Sequence, residues 1–284
     1  MQSYLDILRQ ARDGNRREGR NGKTRAVFAV QLRHDMRTGF PLLTTKRMAW
    51  KQIVGELLWF VEGGKLSPEP YRLSNDRLRE LSGKKAGEKT IWSQDCEKDE
   101  WVEKARFAGD CGRIYGAQWR NWNGKVDQLE GLIGRLRDDP EGRYHKVTAW
   151  QPAELDAMCL PPCHGDFQCF VDFEEDVRHL SLHMNQRSCD LFLGVPFNIA
   201  SYGLLLMMLS HLTKYVPREL VMTLNDAHLY EDHLGAANEQ LGSTPRPLPT
   251  VRLGRDVQEI DDFRYDDFVL EEYHPYPRIA APQL

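Results

Sequence analysis

Cys163 stands in Leu160-Pro-Pro-Cys-His-Gly-Asp-Phe-Gln168, with a histidine beside it and two prolines fixing the backbone that enters it. A cysteine works as a nucleophile in its thiolate form, and a nearby guanidinium favours that form. The candidate partner is Arg187, in Gln186-Arg-Ser-Cys-Asp-Leu-Phe-Leu-Gly-Val-Pro-Phe-Asn-Ile-Ala-Ser-Tyr202. Arg187 and Ser188 suit an anion, because a guanidinium grips phosphate oxygens two at a time. Asn198 offers an amide donor and acceptor to the edge of a flat ring; its plainer role would be to cap the helix that follows. Together these residues describe an enzyme that holds a phosphorylated ring and attacks it with a thiolate. The other cysteines (Cys96, Cys111, Cys159, Cys169 and Cys189) lack this setting and read as packing residues.

Glu56, in Glu56-Leu-Leu-Trp-Phe60, is a carboxylate on an otherwise apolar helical face. Burying an acid is costly without a partner or a task, and burial raises its pKa toward the range useful for proton transfer. The elements that must position these groups follow from periodicity. Residues 3–12, Trp50 to Val61, Gln128 to Arg137 and Asn198 to Thr213 read as helices, the last of them as core. Thr24 to Met36, Lys146 to Trp150, Phe167 to Phe173, His179 to Met184, Leu220 to Leu224 and Thr250 to Leu253 read as strands. Arg16 to Lys23 reads as a basic loop, and residues 63–110 as a polar, irregular surface segment. No repeat or linker divides the chain, so one α+β domain spanning 1–284 is expected.

Length and composition agree with this. A chain of 284 residues, 41% of them hydrophobic, can build a sizeable core. A net charge of −4 argues against a general nucleic-acid binder, yet a single phosphate needs only a local group of arginines. No apolar run approaches the ~20 residues of a membrane span, and the polar start is not a signal peptide. No C-x-x-C pair suggests a metal, and no glycine-rich phosphate loop suggests NAD or ATP. Reduced thiols in a cytoplasm are the expectation.

The quoted segments closely resemble the thymidylate synthase family, and Gly39-Phe-Pro-Leu-Leu-Thr-Thr-Lys-Arg47, Ile114-Tyr-Gly-Ala-Gln-Trp-Arg120 and Arg246-Pro-Leu-Pro249 extend the likeness nearly end to end. The resemblance implies a single domain with a large mixed sheet packed by helices, one sheet face forming a homodimer interface. It implies dUMP and 5,10-methylenetetrahydrofolate as substrates, with no metal. Cys163 would add to C6 of the pyrimidine, Glu56 would act as general base with Tyr115 and His164 in its network, and Asn198 would read O4 and N3–H of uracil. Arg20, Arg143, Arg187 and Ser188 would hold the phosphate, Arg143 reaching across the dimer. His228 and Tyr230 would hold the sugar hydroxyl. Trp92, Asp190, Leu193, Gly194 and Phe197 would hold the folate.

The departures gather near the chemistry. Tyr144 stands where the family pattern has a second arginine, and Asn225 where it has glycine. Lys146 and Gln151 are also atypical. Gly165-Asp166 replaces bulky apolar residues, the stretch from Ser93 to Lys104 is acidic, and the tail Ala280-Ala-Pro-Gln-Leu284 is altered. A polar site and a weaker seal would let water add to the methylene intermediate, giving 5-hydroxymethyl-dUMP as in enzymes that supply modified phage DNA bases. The reading therefore leans to a deoxyuridylate hydroxymethylase, whose setting would be a host cytoplasm if phage-encoded. Reductive methylation to dTMP with release of dihydrofolate stays open beside it. So does an inactive relative that binds nucleotide or RNA, although Cys163, Glu56, Asn198 and His228 are all present.

Overall fold

The computed structural model describes residues 1–19 and 21–283. Arg20, a candidate phosphate ligand, and Leu284, the end of the altered tail, lie outside the described residues. Helix α1 (Gln2–Arg12) buries Tyr4, Leu5, Ile7, Leu8 and Ala11 along one stripe. The basic run after it is not a loop. β1 (Asn15–Gly19) and β2 (Gly22–Asp35) form an antiparallel hairpin that pairs Arg17 with Thr24 and Glu18 with Lys23. β1 is exposed along its whole length, so no apolar alternation marks it in the sequence.

Helix α2 (Trp50–Glu62) carries Glu56 and ends at Gly63, whose φ of 61° is the left-handed turn glycine makes without strain. The segment that reads as irregular is well anchored. It holds β3 (Leu73–Ser74), α3 (Asn75–Leu81), α4 (Ser93–Cys96), α5 (Asp99–Val102) and β4 (Asp110–Gly112), with β3 paired to β4. Leu73, Leu78, Trp92 and Trp101 join the core. Asp110, fully buried, accepts from Arg72 Nε at 2.9 Å and from the Gly112 amide at 2.7 Å. Helix α6 (Gly116–Arg120) then meets α2 closely: a Cβ on Gly116 would lie 1.9 Å from the Phe60 carbonyl oxygen.

After α7 (Gln128–Asp138) come β5 (Lys146–Val147), β6 (Asp166–Glu174), β7 (Val177–Asp190), α8 (Gly194–Thr213) and β8 (Val216–Tyr230). The strand expected from Lys146 to Trp150 stops at Val147. The main sheet has six strands in the order β1-β2-β8-β7-β6-β5, and only β7 and β8 run parallel. A parallel pair needs a crossover, and α8 supplies it. This helix starts four residues earlier than its sequence pattern suggests, at Gly194, and is 20 residues long. By length and composition it could cross a membrane, contrary to the sequence reading, but 83% of its most apolar window is buried within the fold. Helix α9 (Leu234–Leu241) and the hairpin of β9 (Thr250–Leu253) with β10 (Phe268–Glu271) complete the chain before an extended tail.

The sheet changes phase at one level. The ladder skips Ala29 opposite β8 and skips Arg187 opposite Asn225, and Ala29 takes a φ of 56°. Before this level β7 and β8 bury Met184, Gln186, Met222 and Leu224; beyond it they bury Cys189, Ala227 and Leu229. The pairing register is the same on both sides of this level, so the neighbouring strands turn over together and the later side chains of β7 and β8 change face. Ser188, Asp190, His228 and Tyr230 are thereby turned out of the core.

The buried Arg72–Asp110 pair supports a stability test. Asp110→Asn keeps the shape but leaves the guanidinium uncompensated, and removing one partner of a buried pair costs about 3–5 kcal/mol. The expected outcome is a drop of several degrees in the thermal midpoint, read by calorimetry. An unchanged midpoint would show that the pair contributes nothing.

Candidate active site

The turned-out residues meet the loop that carries Cys163. Cys163 donates its backbone N–H to the Tyr115 hydroxyl at 2.9 Å, and its carbonyl accepts from the Arg187 amide at 2.7 Å. The Cys163 backbone is thus held from the residue that begins α6 on one side and from β7 on the other. Arg187 Nη2 lies 3.9 Å from Sγ, as the sequence reading expects, while Nε bonds the Pro162 carbonyl at 3.2 Å. The guanidinium also faces the Trp150 ring at 5.4 Å. The predicted low thiol pKa does not result. Burial pushes the Cys163 thiol above its ordinary value, and the opposing charge of Arg187 is the smaller effect. The Asp95 carboxylate, in α4, pushes the same way as burial.

Glu56 opens toward this cleft. Its Oε1 accepts from the Trp92 indole N–H at 2.7 Å. Burial pushes its pKa up to about 7 against that hydrogen bond, so the group can give or take a proton near neutrality. Tyr115 stacks between Phe60 at 4.8 Å and His164 at 4.5 Å, and its φ of 32° is a strained conformation for a tyrosine. His164 Nδ1 pairs with the Tyr202 hydroxyl at 3.0 Å, and burial lowers its pKa to about 3, so the ring is neutral. Trp59, Phe60, Trp92 and Trp119 complete an aromatic wall around these groups.

Asn198 lies inside α8, in its second turn, so the capping role does not apply. Its Oδ1 accepts from Gln186 Nε2 at 3.1 Å, which leaves the Nδ2 donors and the second lone pair of Oδ1 for a ligand. Asp190 Oδ1 accepts from the amides of Phe192 and Leu193 at 2.9 and 3.1 Å, shaping the turn into Gly194 and Phe197. His228 and Tyr230 lie side by side with ring centres 5.3 Å apart. Arg143 and Tyr144 are exposed and make no hydrogen bond to the cleft residues within the described chain.

Two groups went unassigned in the sequence reading although both stand in its quoted segments. Gln186, 2% exposed, orients Asn198, and Tyr202 orients His164. Their signal was a polar side chain inside an apolar run. Two departures also have other engagements. Asp166 does not face the thiol: its Oδ1 takes hydrogen bonds from the Thr148 hydroxyl and the Ala149 amide at 2.9 Å. The altered tail is fastened, with Gln283 Nε2 donating to the Ile91 carbonyl at 2.8 Å beside Trp92. Among the described residues no group of three or more His, Cys, Asp and Glu side chains is arranged to hold a metal ion.

The thiol's environment sets a pH prediction. Because its pKa is raised, the thiolate fraction should be small at neutral pH and grow as pH rises past the ordinary thiol range. Alkylation of Cys163 by iodoacetamide, followed by mass, should therefore show a midpoint above that range. Arg187→Met removes the opposing cation and should move the midpoint higher; a lower midpoint would refute this account of the site's electrostatics.

The sequence model of the thymidylate synthase family matches residues 2–284, nearly the whole chain. The chain belongs to the thymidylate synthase family.

Proposed function

We propose that this protein converts dUMP and 5,10-methylenetetrahydrofolate to dTMP and dihydrofolate. The family transfers a one-carbon unit to dUMP with this folate as co-substrate. In the reading proposed here, Cys163 Sγ bonds to C6 of the pyrimidine, and the electron pair displaced from the C5–C6 bond makes C5 the nucleophile toward the one-carbon unit. Asn198 Nδ2 donates to O4, where the negative charge collects, and the aromatic wall keeps that charge in a low dielectric. Glu56 moves protons at O4 and C5, for which a pKa of about 7 is suited. Arg187 and Ser188 hold the phosphate, with Arg20 and a partner's Arg143 completing the group. After the folate leaves, a methylene remains on C5, and hydride from the folate reduces it while the thiolate departs from C6.

The observation that carries reduction over water addition is the tail fastened beside Trp92. A covered aromatic cleft excludes water while hydride is aligned. Asp95 favours the other outcome, since its charge is felt at Cys163 and a carboxylate can hold a water there. The test is to incubate the protein with dUMP and methylenetetrahydrofolate, following dihydrofolate absorbance and product mass. Stoichiometric dihydrofolate with dTMP is expected; 5-hydroxymethyl-dUMP without dihydrofolate would assign hydroxymethylation instead. Cys163→Ser should lose at least ~10³ in rate with the fold intact. A fluorinated dUMP should form a covalent adduct with the wild type and folate. Failure to do so would mark an inactive nucleotide-binding relative.

A homodimer belongs to the same proposal. The sheet face opposite α8 exposes Phe28 at 82% and Phe170 at 64%, and a monomer rarely leaves such aromatics open. Phe170→Glu should convert a dimer to a monomer in sedimentation velocity. A wild type that sediments as a monomer at micromolar concentration would overturn this assignment.

A further inference from the structure

His233 is a buried group to which the chemistry above gives no task. It lies in the short turn between β8 and α9 and is 0% exposed. Its Nε2 bonds the Pro282 carbonyl oxygen at 2.8 Å. A carbonyl can only accept, so Nε2 is the donor in this bond. Nδ1 has no hydrogen-bond partner among the described residues and lies 4.0 Å from Asp190 Oδ1. The ring centre is 5.4 Å from that of Tyr230 and 5.6 Å from that of Phe192. One imidazole thus touches the tail, the strand end that carries His228 and Tyr230, and the turn that begins at Asp190.

The tail itself is held in two groups of anchors. Tyr273 donates from its hydroxyl to the Leu43 carbonyl at 2.8 Å, the Tyr276 amide bonds the Thr44 carbonyl at 2.8 Å, and the Arg47 amide bonds the Pro277 carbonyl at 3.3 Å. Beyond Pro277, the hydrogen bonds of the described residues are two: His233 to Pro282, and Gln283 to Ile91. The adjacent residues Pro282 and Gln283 therefore tie the end of the described tail to the His233 turn and to the Ile91 backbone beside Trp92.

We infer that His233 is a positioning residue for the folate-dependent steps, fastening the end of the tail to the wall that carries Asp190 and Tyr230. The end of the tail then keeps a fixed register against that wall, at Pro282, beside the Asp190 turn. Without the Nε2 donor, the Pro282 carbonyl loses its partner, and the Gln283–Ile91 bond is the remaining hydrogen bond of the described tail beyond Pro277, beside the packing of Ile279 and Ala281 against the core. This inference rests on the one-carbon transfer proposed above.

The experiment compares three full-length variants. His233→Phe keeps the ring and its contacts with Tyr230 and Phe192 but has no donor; His233→Asn is smaller, and its amide falls short of Pro282. His233→Gln has a donor at the right reach. Loss of one hydrogen bond at this fastening should raise the KM for methylenetetrahydrofolate about tenfold in the Phe and Asn variants. The dissociation constant for dUMP should stay within about twofold, and the Gln variant should behave like wild type. Trypsin should cut after Arg278 several times faster in the free Phe and Asn proteins. Hydroxymethyl-dUMP should rise relative to dTMP as the tail loosens. Wild-type folate KM and wild-type cleavage in a folded Phe or Asn variant would overturn the inference, as would equal loss of dUMP and folate binding, which marks a merely structural residue. If the wild type forms no product, the proposed function falls, while the trypsin contrast still decides the role of His233.

Discussion

The site depends on one break in a sheet. β7 and β8 are long parallel neighbours, and a strict alternation along them would send Ser188, Asp190, His228 and Tyr230 into the core against α8. The skipped pairing at Arg187 and Asn225, level with Ala29 on β2, reverses that phase along β7 and β8. The same backbone thus builds an apolar core along most of its length and presents polar side chains at one end. Arg187 stands at the break itself, which is why its amide can bond the Cys163 carbonyl while its guanidinium reaches the thiol. Asn225 adds a local tie there, donating to the Gln186 carbonyl at 3.0 Å and to Asn185 Oδ1 at 2.9 Å.

Within the cleft that results, desolvation rather than paired charge sets protonation. It raises Glu56 to about 7, lowers His164 to about 3 and lifts the Cys163 thiol. All three shifts favour the neutral form, which is what an aromatic wall with few formal charges should produce. The expectation of a low thiol pKa weighed the guanidinium without the burial it comes with. A neutral His164 pairs with the Tyr202 hydroxyl without adding a cation beside Cys163. In the proposed reaction, negative charge would develop in this cleft opposite the Asn198 donors.

The sequence was most legible where chemistry and period coincide. Helix α2 with Glu56, the core helix α8, and the meeting of Cys163 with Arg187 could all be anticipated from residue types and spacing. The losses have physical causes. β7 and β8 read as short strands because their alternation changes phase at Arg187 and Asn225, and a period that flips looks like an ending. β1 was missed because an edge strand exposed on both faces has no alternation to show. Residues 63–110 looked like loose surface because their order rests on sparse anchors, Trp92, Trp101 and the buried Arg72–Asp110 pair, set among charged positions. Asp166 looked like a polar intruder; in the fold it replaces packing with hydrogen bonds to Thr148 and Ala149.

On the proposed reading, the fate of a methylene on the pyrimidine is governed away from Cys163. Cys163, Arg187 and Asn198 are placed by the sheet break and by α8, and they would generate that intermediate whichever product follows. On the proposed reading the choice between hydride and water falls to how closely the tail shuts the cleft, and the tail is tied at two adjacent residues by bonds of different character. At His233 it is fixed to a fully buried ring wedged between Phe192 and Tyr230, a fastening that cannot shift without disturbing the core. At Ile91 it is fixed by an exposed glutamine to a backbone carbonyl, a single neutral hydrogen bond worth about 1 kcal/mol. Pro282 and Gln283 are neighbours, so both ties act on one short piece of chain: the buried one at His233 fixes its backbone, and the exposed one at Ile91 sets how closely it lies beside Trp92, the residue that bonds Glu56.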